Sequence, residues 1–150
     1  MALHINPDGT EVPVPDDTVI GEGTLIEYLD GEHNYTIGRN VSIGANCTIG
    51  RTVHFCDGVT IGDGSIVEGG TFIGADGTVG SQCYIEGYVS LAPGAIVGNN
   101  VKLAGSFRFG DACVVIDGTE ICMSYGNPSE VMKFPAGSTI NVRMSEEYDT

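Results

Sequence analysis

Large apolar residues recur at every sixth position from Ile37 to Ile121 without a break. The series is Ile37, Ile43, Ile49, Phe55, Ile61, Val67, Ile73, Val79, Ile85, Leu91, Val97, Leu103, Phe109, Val115 and Ile121. A six-residue period fits neither the 3.6-residue turn of a helix nor the simple alternation of a hairpin sheet. It is the mark of a chain that winds into a parallel β-solenoid. With each hexad counted from its large residue, the second position is Gly or Ala in ten of the fifteen units. The fifth is mostly small or β-branched, as at Val41, Cys47, Val53, Val59, Ser65, Cys83 and Val101. The fourth is often Asn or Gly, which tolerate positive φ. Each hexad therefore reads as a short strand and a tight corner, with its first and fifth residues pointing inward. Three sides close a triangular coil of 18 residues, so the fifteen hexads predict an all-β solenoid of about five coils. The large residues would stack in three columns, headed by Ile37, Ile43 and Ile49.

The pattern is interrupted twice. Ile20-Gly-Glu-Gly-Thr-Leu25 reads as a hexad and Ile26 opens another, yet Ile37 follows only eleven residues later. The extra residues, within 27–36, predict a loop at a corner. Upstream, Asp8-Gly9 flanked by Leu3, Ile5, Val12 and Val14 predicts a hairpin that covers the open end of the solenoid. Downstream, Asn127-Pro-Ser-Glu130 reads as a helix start, with an Asn cap and Pro at the first position. That helix would end near Pro135, and alternation of Ile140, Val142 and Met144 predicts a final strand. The expected organisation is an acidic N-terminal cap over 1–18, a β-helix over 19–126 with its loop at 27–36, and a C-terminal cap and tail over 127–150.

The net charge of −14 is uneven: residues 1–36 carry eight acids and no Lys or Arg, and residues 37–126 are net −4. Such a chain is a poor partner for nucleic acid or an anionic membrane surface, and a basic protein is the partner it would favour. No apolar run approaches the ~18 residues of a membrane span. The first residues lack the charged start and apolar core of a secretion signal. Of five cysteines, Cys47, Cys83 and Cys113 fall on inward positions, and Cys47 and Cys83 would lie two coils apart, beyond disulfide reach. Reduced structural cysteines and a cytoplasmic location are the expectation.

Units such as Ile43-Gly-Ala-Asn-Cys-Thr48, Ile61-Gly-Asp-Gly-Ser-Ile66 and Val97-Gly-Asn-Asn-Val-Lys102 resemble the hexapeptide-repeat family. The resemblance spans about residues 19–126. It implies a left-handed β-helix, an exception to the right-handed crossover rule, and assembly as a homotrimer. It also implies kinship with acyltransferases that use acyl-coenzyme A or acyl carrier protein. The stretch Gly126-Asn-Pro-Ser-Glu-Val131 is similar to the Gly-Asn-Pro-Ala-Lys-Val segment that follows the last coil in those enzymes. Here Glu130 replaces the Lys, and a carboxylate opposes an anionic cofactor where an ammonium would suit it.

The candidate chemistry is sparse. Some relatives are zinc enzymes with three His ligands, but the three histidines here, His4, His33 and His54, fall in the hairpin, the loop and the shaft. No zinc spacing exists, and no metal is predicted. The acidic run Asp8, Glu11, Asp16 and Asp17 reads as a solvated face. Acyl transfer needs a general base for the acceptor, and a His suits it. His33 sits in the corner loop, a common place for catalytic residues, and His54 at an outward position beside Phe55-Cys56-Asp57. Outward Ile66, Phe72, Tyr84, Ile96 and Val114 suggest surfaces covered by other copies of the chain. Few bases, no basic cluster for coenzyme A phosphates and the acidic charge favour a non-catalytic trimeric scaffold or protein-interaction module with no cofactor. The alternative is an acyl-coenzyme A-dependent acyltransferase with its site between subunits and His33 or His54 as base. A third reading, an acidic mimic of nucleic acid, is weakened by the shaft's small net charge.

Overall fold

In the computed structural model the described residues are 2–28, 35–68, 70–122, 132–141 and 143–145. Strands β1 (Ala2–Ile5) and β2 (Glu11–Val14) pair antiparallel as a hairpin, with His4 opposite Val12. The chain then enters a shaft with three flat faces. Its first coil supplies β3 (Val19–Ile20) to face 1, β4 (Leu25–Ile26) to face 2 and β5 (Thr36–Ile37) to face 3. Every later coil adds one parallel strand per face, to give seven, seven and six strands among the described residues. The molecule is a left-handed parallel β-helix.

The inward pattern follows the hexads. Of the large residues, Ile43 through Ile121 are all buried, and Ile37 is half-buried at the first coil. Fifth-position residues Val41, Val53, Val59, Val89 and Val101 are buried beside them. Corners turn at the fourth position with φ near +60°, at Asn40, Asn46 and Asn100 as expected. Thr52, Asp76, Gln82 and Ala112 also adopt this geometry. For β-branched Thr52 it is intrinsically unfavourable, so the stacked coils on either side impose it.

One inward column carries a polar ladder. Thr24, Cys47, Ser65 and Cys83 stack on successive coils, and each side chain donates to a carbonyl of the coil that follows: Gly44, Gly62, Gly80 and Gly98, at 2.6, 3.1, 2.7 and 2.9 Å. Thr24 and Ser65 also accept from the backbone N–H of Cys47 and Cys83. The cysteines are free thiols that serve as small hydrogen-bonding core residues.

The hairpin docks by its inner side. Val12 and Val14 join the core, and His4 Nε2 lies 2.7 Å from Thr24 O. Asn6 uses its whole amide on the outer edge of β4: Nδ2 donates to Ile26 O (2.8 Å) and Oδ1 accepts from Ile26 N–H (2.9 Å). A side chain thus stands in for the missing strand and satisfies an otherwise open sheet edge.

The C-terminal expectation needs correction. The stretch expected to close a helix, Met132–Phe134, is a strand on face 3, beside Phe107–Phe109. The helix start at 127–131 lies outside the described residues. Phe134 stacks on Phe109 with centroids 4.8 Å apart and planes 6° from parallel. Extending that aromatic column outweighs the local helix signal. The single final strand is likewise two, Thr139–Ile140 on face 1 and Arg143–Ser145 on face 2, separated by a corner. Ile140 is buried above Val115 and prolongs its column.

Candidate functional site

Residues outward on a parallel stack form straight rows, because each register pairs position i with i+18. On face 3 the row runs Thr36, His54, Phe72, Ser90, Arg108 and Lys133. The last step spans 25 residues and not 18, because the second break in the hexad pattern of the sequence falls between them. At ~4.8 Å per rung, Arg108 stands ~14 Å and Lys133 ~19 Å from His54 along the shaft.

His54 is exposed, and its Nδ1 lies 3.1 Å from Thr36 Oγ1. A Nδ1–H donated to Thr36 leaves Nε2 with a lone pair facing solvent, the tautomer a general base requires. Phe72 follows with 41% of its surface exposed. Arg108 and Lys133 are both exposed and directly adjacent, and neither forms an ion pair with a described residue. Two like charges on neighbouring rungs repel unless an anion sits between them. By contrast Lys102, on face 2, lies over the Tyr84 ring at 5.9 Å and beside Glu120.

The sequence, in which no basic cluster for coenzyme A phosphates is expected, does not place these two cations side by side. Arg108 and Lys133 meet because Met132-Lys-Phe134 repeats Phe107-Arg-Phe109 one coil later. That apolar–basic–aromatic echo was the available signal. The irregular stretch between the two segments and the Asn-Pro helix signal obscured it.

At both breaks in the hexad pattern the flanking strands pass from face 2 to face 3, from Leu25–Ile26 to Thr36–Ile37 and from Glu120–Cys122 to Met132–Phe134. On the coils between, this edge carries Gly87 and, beside it, the exposed ring of Tyr88. Gly87 has φ +93°, and a Cβ there would lie 2.3 Å from Gly105 O on the next coil, so the two coils fit tightly at this corner.

The other sequence candidates are not gathered here. His33 lies outside the described residues. His4 is committed to Thr24 O and holds the hairpin in place. Cys56 is half-buried, with no base beside it other than its sequence neighbour His54. Among the described residues no three His, Cys, Asp or Glu side chains converge as metal ligands do, the acidic run Asp8–Asp17 included. Phe72 on face 3, Ile96 on face 1 and Tyr88 at the edge between faces 2 and 3 are exposed on the shaft's middle coils.

The family model described as bacterial transferase hexapeptide (six repeats) matches residues 40–75. The chain is 36% identical over 90 residues to the bifunctional protein GlmU of Herminiimonas arsenicoxydans, covering 53% of this chain and 20% of that protein. It is 40% identical over 75 residues to GlmU of Bifidobacterium adolescentis, covering 43% of this chain and 16% of that protein. The chain thus spans about a fifth of the length of these curated relatives. Among solved structures, the acetyltransferase domain of PglB from Neisseria gonorrhoeae, in complex with acetyl coenzyme A, matches with a TM-score of 0.59 at 15% identity. That match covers 87% of this chain and 49% of the other, and at such identity it speaks for the fold alone.

Proposed function

We propose that this chain, whose residues 40–75 match the hexapeptide-repeat family model, acts as an acyl-coenzyme A-dependent acyltransferase on face 3 of the shaft. The observation that carries the reading is the row that aligns His54 with the adjacent cations Arg108 and Lys133, which form no ion pair with a described residue. The matching family model, described as a bacterial transferase hexapeptide, supports it, and the PglB domain of like fold is an acetyltransferase domain in complex with acetyl coenzyme A. Arg108 and Lys133 would hold phosphate oxygens, which removes their mutual repulsion and forms charge-assisted hydrogen bonds. When bound, the coenzyme supplies an acyl group activated as a thioester. His54 Nε2 takes the proton of the acceptor's amine or hydroxyl as that atom becomes the nucleophile, and Thr36 orients the ring through Nδ1. His54 then returns the proton to the departing thiolate. Three copies of the chain, packed side by side, would cover Phe72 and enclose the row.

The competing reading is a non-catalytic scaffold. It rests on the exposure of His54, whose one observed side-chain partner is Thr36.

Thermal unfolding with acetyl-coenzyme A separates the two. A donor at 100 times its Kd adds about 2.7 kcal/mol, or roughly 5–10 °C for a chain of this size. Arg108→Glu and Lys133→Glu should each abolish the shift. His54→Ala should keep the shift and lose turnover in a thiol-release assay with an amine panel. No shift at millimolar coenzyme sinks the enzyme reading and leaves the scaffold.

A further inference from the structure

A cleft lies at the N-terminal end of the shaft, where the hairpin overhangs the first two coils. It is open, holds about 260 Å³, and is walled by Asn6, Asp8 and Thr10 on one side and Glu27, Tyr28 and Arg51 on the other. Its walls are fixed by backbone interactions. The Asn6 amide is clamped to both polar atoms of the Ile26 backbone. Glu27 N–H donates to Ile49 O at 2.9 Å, which ties the far wall to the second coil. Asp8 closes the turn by accepting from Thr10 N–H at 3.0 Å.

The charges in this cleft are mixed. Asp8 and Glu27 bring two carboxylates, and Arg51 brings one guanidinium. The Thr10 backbone N–H and hydroxyl hold the Asp8 carboxyl below the usual carboxylate range, so it is ionised at neutral pH. Among the described residues Arg51 meets Glu27 through Nε, at a loose 3.7 Å, with half of its side chain exposed. No contact recorded among the described residues engages its two terminal nitrogens, the pair that grips a carboxylate in a fork. A surface ion pair this long contributes almost nothing to stability, so stability does not explain the arrangement. Metal coordination does not suit it either, since no third acidic or histidine ligand joins Asp8 and Glu27 among the described residues.

We infer that this cleft binds a small zwitterion of the α-amino acid class, its ammonium between Asp8 and Glu27 and its carboxylate on the Arg51 guanidinium. Such a molecule satisfies all three charges at once, while an amine alone meets Arg51 with like charge and an anion alone meets the two carboxylates. Leu25 and Tyr28 supply a modest apolar wall for a side chain. The cleft lies around the edge from the face 3 row, with Arg51 three residues before His54, and the inference does not rest on the acyltransferase reading.

The test is a 15N NMR titration of the full chain with L-serine and L-glutamine, alongside methylammonium, acetate and calcium chloride. The amino acids should move the amide signals of Thr10, Glu27 and Arg51 saturably. Methylammonium and acetate, each lacking one charged contact, should bind about tenfold more weakly or worse. Asp8→Asn and Arg51→Gln should each cost about tenfold in L-serine affinity and leave the remaining amide spectrum in place. The inference is overturned if neither amino acid gives saturable shifts, if acetate or methylammonium binds as well as L-serine, if calcium is the species that saturates, or if both variants bind L-serine unchanged.

Discussion

Ile61→Ala probes the inward column at the middle of the shaft. Ile61 is 2% exposed and sits between Ile43 and Val79 in the stack. The substitution removes three carbons, a transfer loss of about 2.4 kcal/mol at ~0.8 kcal/mol per methylene. Collapse around the vacancy is restricted because the backbone is tied on both sides: Gly44 N–H donates to Ile61 O at 2.9 Å and Gly62 N–H to Val79 O at 2.8 Å. The retained cavity adds its own penalty, which brings the expected loss to about 3–4 kcal/mol and lowers Tm by roughly 6–15 °C. Thr60→Ala on the same strand is the control. Thr60 faces solvent, so its loss should stay within about 0.5 kcal/mol. Urea unfolding followed by circular dichroism, at one protein concentration for all variants, measures both. A loss below about 1 kcal/mol for Ile61→Ala, or a larger one for Thr60→Ala, would refute the inward assignment on which the columns depend.

Two further perturbations test the edge and the ladder. Gly87→Ala places a Cβ 2.3 Å from Gly105 O in a φ +93° backbone, so strain and overlap together should cost about 2 kcal/mol or more. Gly9→Ala, at φ +90° with open space around it, should cost only the ~1–2 kcal/mol of conformational strain; equal losses in urea unfolding would show that the coil-to-coil contact is not tight. Burial pushes the Cys83 thiol above its ordinary value of 9.0. The folded state therefore holds this proton more tightly than the unfolded one, so its contribution is complete below pH 9 and is lost as pH rises through the folded pKa. Cys83→Ser keeps a donor toward Gly98 O and removes the titration, so the wild type should lose stability relative to this variant as pH is raised past 9; parallel profiles would reject the assignment.

Much of the shaft was legible in the sequence because a six-residue period has few physical solutions. Period, small fifth residues and Asn or Gly corners each report on one coil, and each coil meets only its neighbours. The hairpin was legible for the same local reason, from Asp8-Gly9 between alternating apolar residues. The site was less legible. His54 could be placed outward on its hexad, but its contact with Thr36 exists only when one coil stacks on the next. Arg108 and Lys133 lie 25 residues apart, outside the 18-residue spacing, and became neighbours because Phe134 stacks on Phe109 and pulls its strand into register. The cleft joins Asp8, Glu27 and Arg51, which share no local pattern; the Asn6 clamp on β4 sets the hairpin over the coil and brings them together. Sequence alone determined what repeats, since a repeat is a statement about nearest neighbours. The tertiary structure decided where the repeat fails and what those failures bring together, because those contacts depend on long-range packing that no local spacing encodes.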